Sequence, residues 1–407
     1  MLLVQMYLQS GKTLEDLKAE HGVKSYETNG KVCFNYDQLE ARNSDPLASQ
    51  CRGLVLRKDT WDVVACPMFR FFNLEQVDVA ANIDWNSAVV EEKMDGTCII
   101  VYFDDHLNKW CCGTRSRSEA DGGIDDSDLT FAILVDQTCK TMWSRRAEEM
   151  GWSSATSQNL QDLMEATQRV NPTKDAKHHT FVFELTSPIN RIVCNYSEAK
   201  LTLLAVRNNL TLEEDFPQNW IAKDEFGLDC AKVYSFDDVN HMIEVIRSWN
   251  PEDHEGVVVK DKNWNRVKIK NPSYVAYNHM RDSLATSIRG CVEVILLGKE
   301  DDVIGMMPEP IAKRILRLKP VIQEVLSRTQ RDWEELRNID DMKHFAQEAV
   351  LRLWPPALFA LKRGKTPDLR TFALGNKAGV AKIPNNATNT MIQLCKKVDP
   401  DVGKLDL

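Results

Sequence analysis

The sequence predicts an α+β protein, with an antiparallel-sheet domain over residues 1–283 followed by an all-helical domain over residues 284–407. Two observations predict this. From about Gln50 to Tyr277, short runs rich in Val, Ile, Leu, Phe and Thr recur between turn residues, and after about Ser283 they give way to apolar residues at helical spacing. The 407 residues are enough for two separate cores.

In order, the expected strands are Gly53 to Arg57, Thr97 to Phe103, Thr180 to Leu185, Leu201 to Arg207 and Gly256 to Lys260, each dominated by β-branched and aromatic residues. Helices are expected over Asp128 to Glu148 and Gln158 to Val170. Beyond the boundary, Ile311, Ile315, Leu318, Ile322 and Val325 recur at steps of four and three, one face of a helix that Pro320 can bend. Further helices are expected over Leu284 to Leu297, Thr329 to Arg337 and Asp341 to Leu353, the last stopped by Pro355-Pro356.

Met1 to Leu8 is apolar but too short for a signal segment, and nothing later approaches a membrane span. Eleven cysteines, an odd number without zinc-ligand spacing, indicate neither a disulfide framework nor a structural metal and suit a reducing cytoplasm. The net charge of −9 does not exclude a nucleic-acid partner, because a ligand groove needs only local basic residues.

The chemistry concentrates around Glu91-Glu92-Lys93-Met94-Asp95-Gly96-Thr97. A lone Lys-x-Asp-Gly is more often a surface hairpin turn, since Asp-Gly is a common turn pair. Three further strands sharpen it. Period two puts Val182 and Glu184 on one face of a strand, with Phe181, Phe183 and Leu185 on the other. Glu255 opens the Gly256 to Lys260 strand, and the returning strand Arg266 to Lys270 places Lys268 and Lys270 together, opposite Val267 and Ile269.

Two lysines facing a carboxylate make a site for a polyphosphate and a divalent cation. A free lysine with a pKa of about 10.4 is only about 0.1% neutral near pH 7.5, so a nucleophilic Lys93 needs its pKa depressed by about 3 units, roughly 4 kcal/mol. Neighbouring cations such as Lys268 and Lys270, a metal ion and desolvation are expected to supply that. Arg52 in Cys51-Arg52-Gly53 and Arg70 in Phe69-Arg70-Phe71-Phe72 sit amid apolar residues; each suits either a buried salt bridge or a triphosphate contact.

These motifs, with Phe71-Phe72-Asn73-Leu74, Thr114-Arg115-Ser116, Asn190-Arg191-Ile192-Val193, Leu203-Leu204-Ala205-Val206-Arg207 and Lys268-Ile269-Lys270, resemble in order the nucleotidyltransferase ligases, most closely the RNA ligase 1 type of T-even phages. The resemblance is strongest over residues 50–280. It implies an ATP-dependent RNA ligase joining 5′-phosphate and 3′-hydroxyl ends, with Mg²⁺ (or Mn²⁺) as cofactor, Lys93 as the adenylated residue, and RNA, including cleaved tRNA, as substrate. It further implies that Arg52, Arg70 and Phe72 contact the nucleotide, that Lys268 and Lys270 grip its α-phosphate, and that Glu184 and Glu255 hold nucleotide or metal. Asp301 is an acidic position able to approach the metal, Arg115 belongs to the wall that positions AMP or RNA, and Tyr274 serves later RNA steps. Asp95, Gly96 and Gly256 complete the motifs. Arg70 and Arg115 stand where the phage enzyme has lysine, which keeps the charge and changes the donor geometry. No protein partner or membrane is implied.

Gly11-Lys12-Thr13 and Gly364-Lys365-Thr366 mimic the end of a Walker loop, but Met6 and Phe359 occupy the place of its first glycine. His178-His179 reads as a strand-flanking surface pair, and Cys111-Cys112 as one core and one exposed thiol. The competing enzymes, a DNA ligase or a capping guanylyltransferase, would carry an oligonucleotide-binding barrel after Lys270, against the helical spacing from Leu284. The competing non-enzyme is an RNA-binding protein on an inactive ligase scaffold, which need not keep Lys93, Glu184, Glu255, Lys268 and Lys270 together. The helical region, with Lys313-Arg314, Arg317, Lys319 and Lys362-Arg363-Lys365, is expected to select the RNA or else to be a solvated helix face.

Overall fold

Three sheets, each almost wholly antiparallel, carry the first 274 residues in the computed structural model. The structure describes residues 1–37, 40–74, 82–124, 128–152, 158–278, 288–296, 298, 309–366, 369–374 and 385–404. The chain divides into two units, Met1–Tyr274 and Val275–Leu407. The boundary expected near 283 lies outside the described residues.

The first sheet comprises β1 (Val23–Thr28), β2 (Lys31–Tyr36), β3 (Arg52–Arg57) and β4 (Val63–Ala65) in that order. The second runs β13 (Val233–Tyr234), β6 (Val89–Glu92), β14 (Gly256–Lys260), β15 (Arg266–Lys270) and β5 (Phe72–Asn73), with β5 parallel to β15. The third has β11 (Glu214–Asp215), β10 (Lys200–Asn208), β9 (His179–Thr186), β7 (Thr97–Asp104) and β8 (Lys109–Gly113), and β12 (Asp229–Cys230) pairs parallel with β10.

The predicted alternation on β9 is realised. Phe181, Phe183 and Leu185 enter a core formed with the helices Phe131–Met150 and Leu160–Val170, while Val182 joins Met68 and Ala205 on the opposite face, where Glu184 also points. On β14 and β15, Val257, Val259, Val267 and Ile269 pack beneath the helix Val239–Ser248, which leaves Lys268 and Lys270 on the other face. The second and third sheets are joined by a buried charge triad, in which Glu214 binds both Arg207 of β10 and Arg266 of β15.

Several expectations need correction. Strands β1 and β2 precede Gln50, where the sequence predicts none. Cys111 and Cys112 are both buried, because β8 is covered on its two faces, and burial pushes the Cys112 thiol up to about 12. His179 is buried against Trp220 and Phe181, and only His178 is exposed. Gly11-Lys12-Thr13 is a helix start: Thr13 caps Leu14–His21 by accepting the Asp16 N–H, and Lys12 pairs with Glu20.

In the second unit, Ile311, Ile315, Leu318, Ile322 and Val325 are all buried on one face of a single helix, Glu309–Leu336. That helix continues through Pro320 and absorbs the separate element expected from Thr329. Pro355-Pro356 opens the helix Pro355–Lys362, where a first-turn proline loses no hydrogen bond, and the preceding helix, Met342–Ala349, already ends without it. Among the described residues, no helix is long and apolar enough to cross a membrane, and all eleven cysteines are free.

Candidate active site

Lys93 sits at the crossing between the second and third sheets, just after β6 and before β7. Its backbone N–H donates to Gly256 O at 2.9 Å, which aligns it with the start of β14. Its Nζ donates to Glu255 Oε2 at 2.6 Å, and Lys270 binds the other oxygen of Glu255 at 2.8 Å. Gly256 adopts φ +147°, and a Cβ there would lie 2.1 Å from Ile269 O, so only glycine lets β14 approach β15 at this point. At Gly96 a Cβ would lie 2.3 Å from Leu185 O, and the Gly96 N–H donates to Glu184 Oε1 at 3.1 Å.

Asp95 faces away from the lysine and is buried. Its Oδ2 accepts the Val193 and Cys194 N–H groups at 2.9 and 2.7 Å, and its Oδ1 accepts the Tyr274 hydroxyl at 2.6 Å. Burial together with the Glu255 and Asp95 carboxylates holds the Tyr274 phenol far above the usual tyrosine range, so in this state it is a fixed donor. The turn around the lysine is therefore held by a carboxylate whose acceptor capacity is filled from the backbone and from Tyr274.

The electrostatics differ from expectation at the nucleophile. Burial pulls the Lys93 pKa down, but Glu255, Glu184 and the hydrogen bond to Glu255 outweigh it, so the value lies above that of an ordinary lysine. Lys93 is thus an ammonium in the ligand-free protein, because the Glu255 and Glu184 carboxylates around it outweigh burial. The depressed lysine is Lys268, brought down to about 8 by burial and by Lys93, Lys270 and Arg52. Burial pushes Glu184 up to about 7, with Glu255 adding to the shift and Lys93 and Arg52 opposing it. Glu255, though buried, is held below the usual range by Lys93 and Lys270.

Two cations have spare capacity. Lys268 makes no ion pair among the described residues and lies 5.7 Å from the Phe71 ring centroid. Arg52 lies 5.5 Å from the same ring, and its buried Nη1 has no hydrogen-bond partner. Among the described residues Arg52 makes no ion pair, and an orphaned guanidinium nitrogen close to Lys268 suits a phosphate.

Arg70 is placed differently. Its guanidinium lies between the Tyr36 and Phe72 rings, at 4.2 and 4.9 Å, and donates to Asn43 Oδ1 and Ala41 O, so its partners come from the first 45 residues and from Phe72. The Arg115 side chain makes no hydrogen bond or ion pair among the described residues, and Asp301 lies outside them. Among the described residues no group of three or more His, Cys, Asp or Glu could hold a metal ion. Glu184 and Glu255 supply two neighbouring carboxylates; burial is the main cause of the raised Glu184, and the smaller contribution from Glu255 is what a divalent cation would relieve.

Sequence reasoning missed Phe71 as the ring facing Arg52 and Lys268, and Asn190 and Tyr196 as holders of the lysine turn. In the second unit the basic cluster divides. Lys362 Nζ donates to Arg337 O at 2.8 Å, so it caps a neighbouring helix end, whereas Arg363 lies 5.7 Å from the Phe359 ring centroid.

Comparison with known proteins adds the following. Residues 50–274 match the RNA ligase family. Over 324 residues the chain is 29% identical to a protein of Autographa californica nuclear polyhedrosis virus named as a bifunctional polynucleotide kinase/RNA ligase, covering 76% of this chain and 42% of that one. The chain thus spans less than half of that relative's length. It is 20% identical over 339 residues to an RNA ligase of Rhodothermus phage RM378, covering 70% of this chain and 72% of that one. Among solved structures, it is similar to an archaeal ATP-dependent RNA ligase, at 17% identity and a TM-score of 0.40, over 70% of this chain and 67% of that one. It is also similar to a variant of Naegleria gruberi RNA ligase with ATP and Mn, at 14% identity and a TM-score of 0.33, over 50% of this chain and 54% of that one.

Proposed function

The chain belongs to the RNA ligase family, and from that premise we propose that it is an ATP-dependent RNA ligase working through a lysyl-AMP at Lys93. The observation that carries this reading is the convergence of Lys93, Glu255, Glu184, Lys270 and an unpaired Lys268 at one sheet crossing. In the first step Lys93 Nζ attacks the α-phosphorus of ATP, the bond to the β-phosphate oxygen breaks, and pyrophosphate leaves. An RNA 5′-phosphate oxygen then attacks the AMP phosphorus and releases Lys93. Finally an RNA 3′-hydroxyl attacks the 5′-phosphorus of the adenylated RNA, and AMP leaves.

Lys93 must lose a proton before the first step, and in the ligand-free protein its ammonium donates a hydrogen bond to the ionised Glu255. A divalent cation held by Glu184 and Glu255 would supply positive charge beside the amine and so favour its neutral form. Lys268 and the free Nη1 of Arg52 stabilise the charge that gathers on the phosphoryl oxygens. Lys270 keeps Glu255 ionised and oriented.

The test uses ATP labelled at the α-phosphate, Mg²⁺ or Mn²⁺, and RNA carrying a 5′-phosphate. Label is expected to pass from the protein to the RNA 5′ end and to be released as AMP when a 3′-hydroxyl end is joined. Label that stays on protein under every RNA tested would remove the RNA ligase reading.

We assign RNA selection, including the choice of a cleaved tRNA, to the unit Val275–Leu407. Arg363→Ala with Lys365→Ala is expected to weaken RNA binding and to reduce the slope of log K against log salt by roughly 1.5, while lysyl-AMP formation is unchanged. Lys362→Ala instead removes a helix cap and lowers stability by about 1 kcal/mol. An unaltered salt slope in the double variant would return this cluster to a solvated helix face.

A further inference from the structure

The loop between β9 and β10, residues 187–199, reaches the lysine turn from one side and the approach to Glu255 from the other. Toward the turn, Val193 and Cys194 N–H donate to Asp95, the Asp95 N–H donates to the Tyr196 hydroxyl at 3.1 Å, and Asn190 Nδ2 donates to Thr97 Oγ1 at 2.6 Å. Toward β14, the Asn195 N–H donates to Glu252 O at 2.7 Å, and Arg191 Nη2 lies 3.5 Å from Glu252 Oε1. The lysine follows β6, which pairs with the β14 strand that Glu255 precedes, so its backbone is fixed to the second sheet on that side, whereas the turn beyond it crosses to β7 of the third sheet and is held by whatever spans the two.

We infer that this loop is a strap that fixes Lys93 relative to Glu255, with Asn190 and Tyr196 as positioning residues for attack on the α-phosphate. The inference rests on the proposed role of Lys93 as nucleophile. Both side chains stop short of the reacting atoms. Asn190 holds the residue that begins β7, and Tyr196 holds the backbone of Asp95, two residues beyond the lysine. Together they pin the turn at two points after the nucleophile, where the Lys93 backbone bond to Gly256 pins it before. A nucleophile on a long, flexible side chain gains most of its rate from such orientation, and a shift of about 1 Å can cost on the order of a hundredfold.

The strap carries its function through two side-chain hydrogen bonds that can be removed without emptying a core. Tyr196→Phe keeps the ring and deletes the acceptor for Asp95 N–H. Asn190→Ala and Thr97→Val each delete the same bond from opposite ends, and Thr97→Ser retains it.

The experiment measures single-turnover lysyl-AMP formation over a range of ATP concentrations, with sealing of pre-adenylated RNA, which bypasses the nucleophile, as the second readout. Tyr196→Phe and Asn190→Ala are expected to lower the maximal adenylylation rate about tenfold, to leave the ATP concentration dependence within about twofold, and to seal pre-adenylated RNA at the wild-type rate. Thr97→Ser is expected to stay within about twofold of wild type, and the double variant Asn190→Ala/Thr97→Val to be no slower than either single one, because both remove one bond. Wild-type adenylylation in the variants overturns the strap and leaves the role of Lys93 standing. A weaker ATP dependence with an unchanged maximal rate, or an equal loss in sealing pre-adenylated RNA, also overturns it, since those outcomes belong to a nucleotide contact or to general damage. If the wild-type protein forms no covalent AMP, it is the underlying reading that fails.

Discussion

Lys93→Ala and Lys93→Arg are both expected to form no detectable covalent AMP, a loss of at least about 10⁴-fold or roughly 5.5 kcal/mol of transition-state stabilisation. The two variants separate chemistry from charge. Alanine removes the nucleophile and also one of the two ammonium partners of Glu255, leaving Lys270 alone to balance a buried carboxylate. Arginine restores a cation to that carboxylate but stays protonated at every accessible pH, so it cannot attack phosphorus. Sealing of pre-adenylated RNA should survive in the arginine variant, because the last step uses the 3′-hydroxyl as nucleophile. Labelling of Lys93→Arg at anything near the wild-type rate would move the nucleophile to another residue.

That prediction rests on parts of the protein that a sequence expresses well. Period-two alternation placed Glu184 and the Lys268 and Lys270 pair on the correct faces, because each strand has one wall of packed apolar side chains that fixes its register. Strand β1 has no such wall: four of its six residues are exposed, so its pattern carries no alternation. Lys31 on β2 is fully buried as an ion pair with Asp104, a charge where the pattern calls for an apolar residue. Partners distant in sequence were also hidden. Glu255 lies 162 positions from Lys93, and the carboxylates that reverse the expected lysine shift act only once the second and third sheets meet. The ligand-free partners of Arg70 were hidden for the same reason, since Tyr36 and Phe72 stack on it and Asn43 accepts its hydrogen bond. The loop holding Asn190 and Tyr196 shows in the sequence only through the Asn190 to Val193 motif, without its partners, since its role lies in hydrogen bonds to another loop.

Lys268→Met is expected to stabilise the ligand-free protein while lowering adenylylation about a hundredfold, roughly 3 kcal/mol. The two effects have one cause. Lys268 is kept partly out of water and close to Lys93, Lys270 and Arg52, which outweigh Glu255, and it makes no ion pair among the described residues, so its charged form is unfavourable until a phosphate arrives. Methionine keeps the length and apolar stem and removes that charge, and the gain should be roughly 1–2 kcal/mol near pH 7 once solvent screening is allowed for. The sign of the pH dependence follows from the direction of the shift. The folded value is about 8 against 10.5 for an ordinary lysine, so between these the unfolded chain holds more proton than the folded one, and wild-type stability from this group rises with pH. The stability difference between wild type and Lys268→Met should therefore be full below about pH 8 and vanish above about pH 10.5. Lys270→Met, which strips Glu255 of a partner at 2.8 Å, should instead destabilise the protein. Thermal melts of both variants from pH 7 to 10.5, set beside their adenylylation rates, decide the matter. A Lys268→Met protein less stable than wild type at pH 7 would mean that the lysine already has a partner in the free enzyme and is not held in reserve for the α-phosphate.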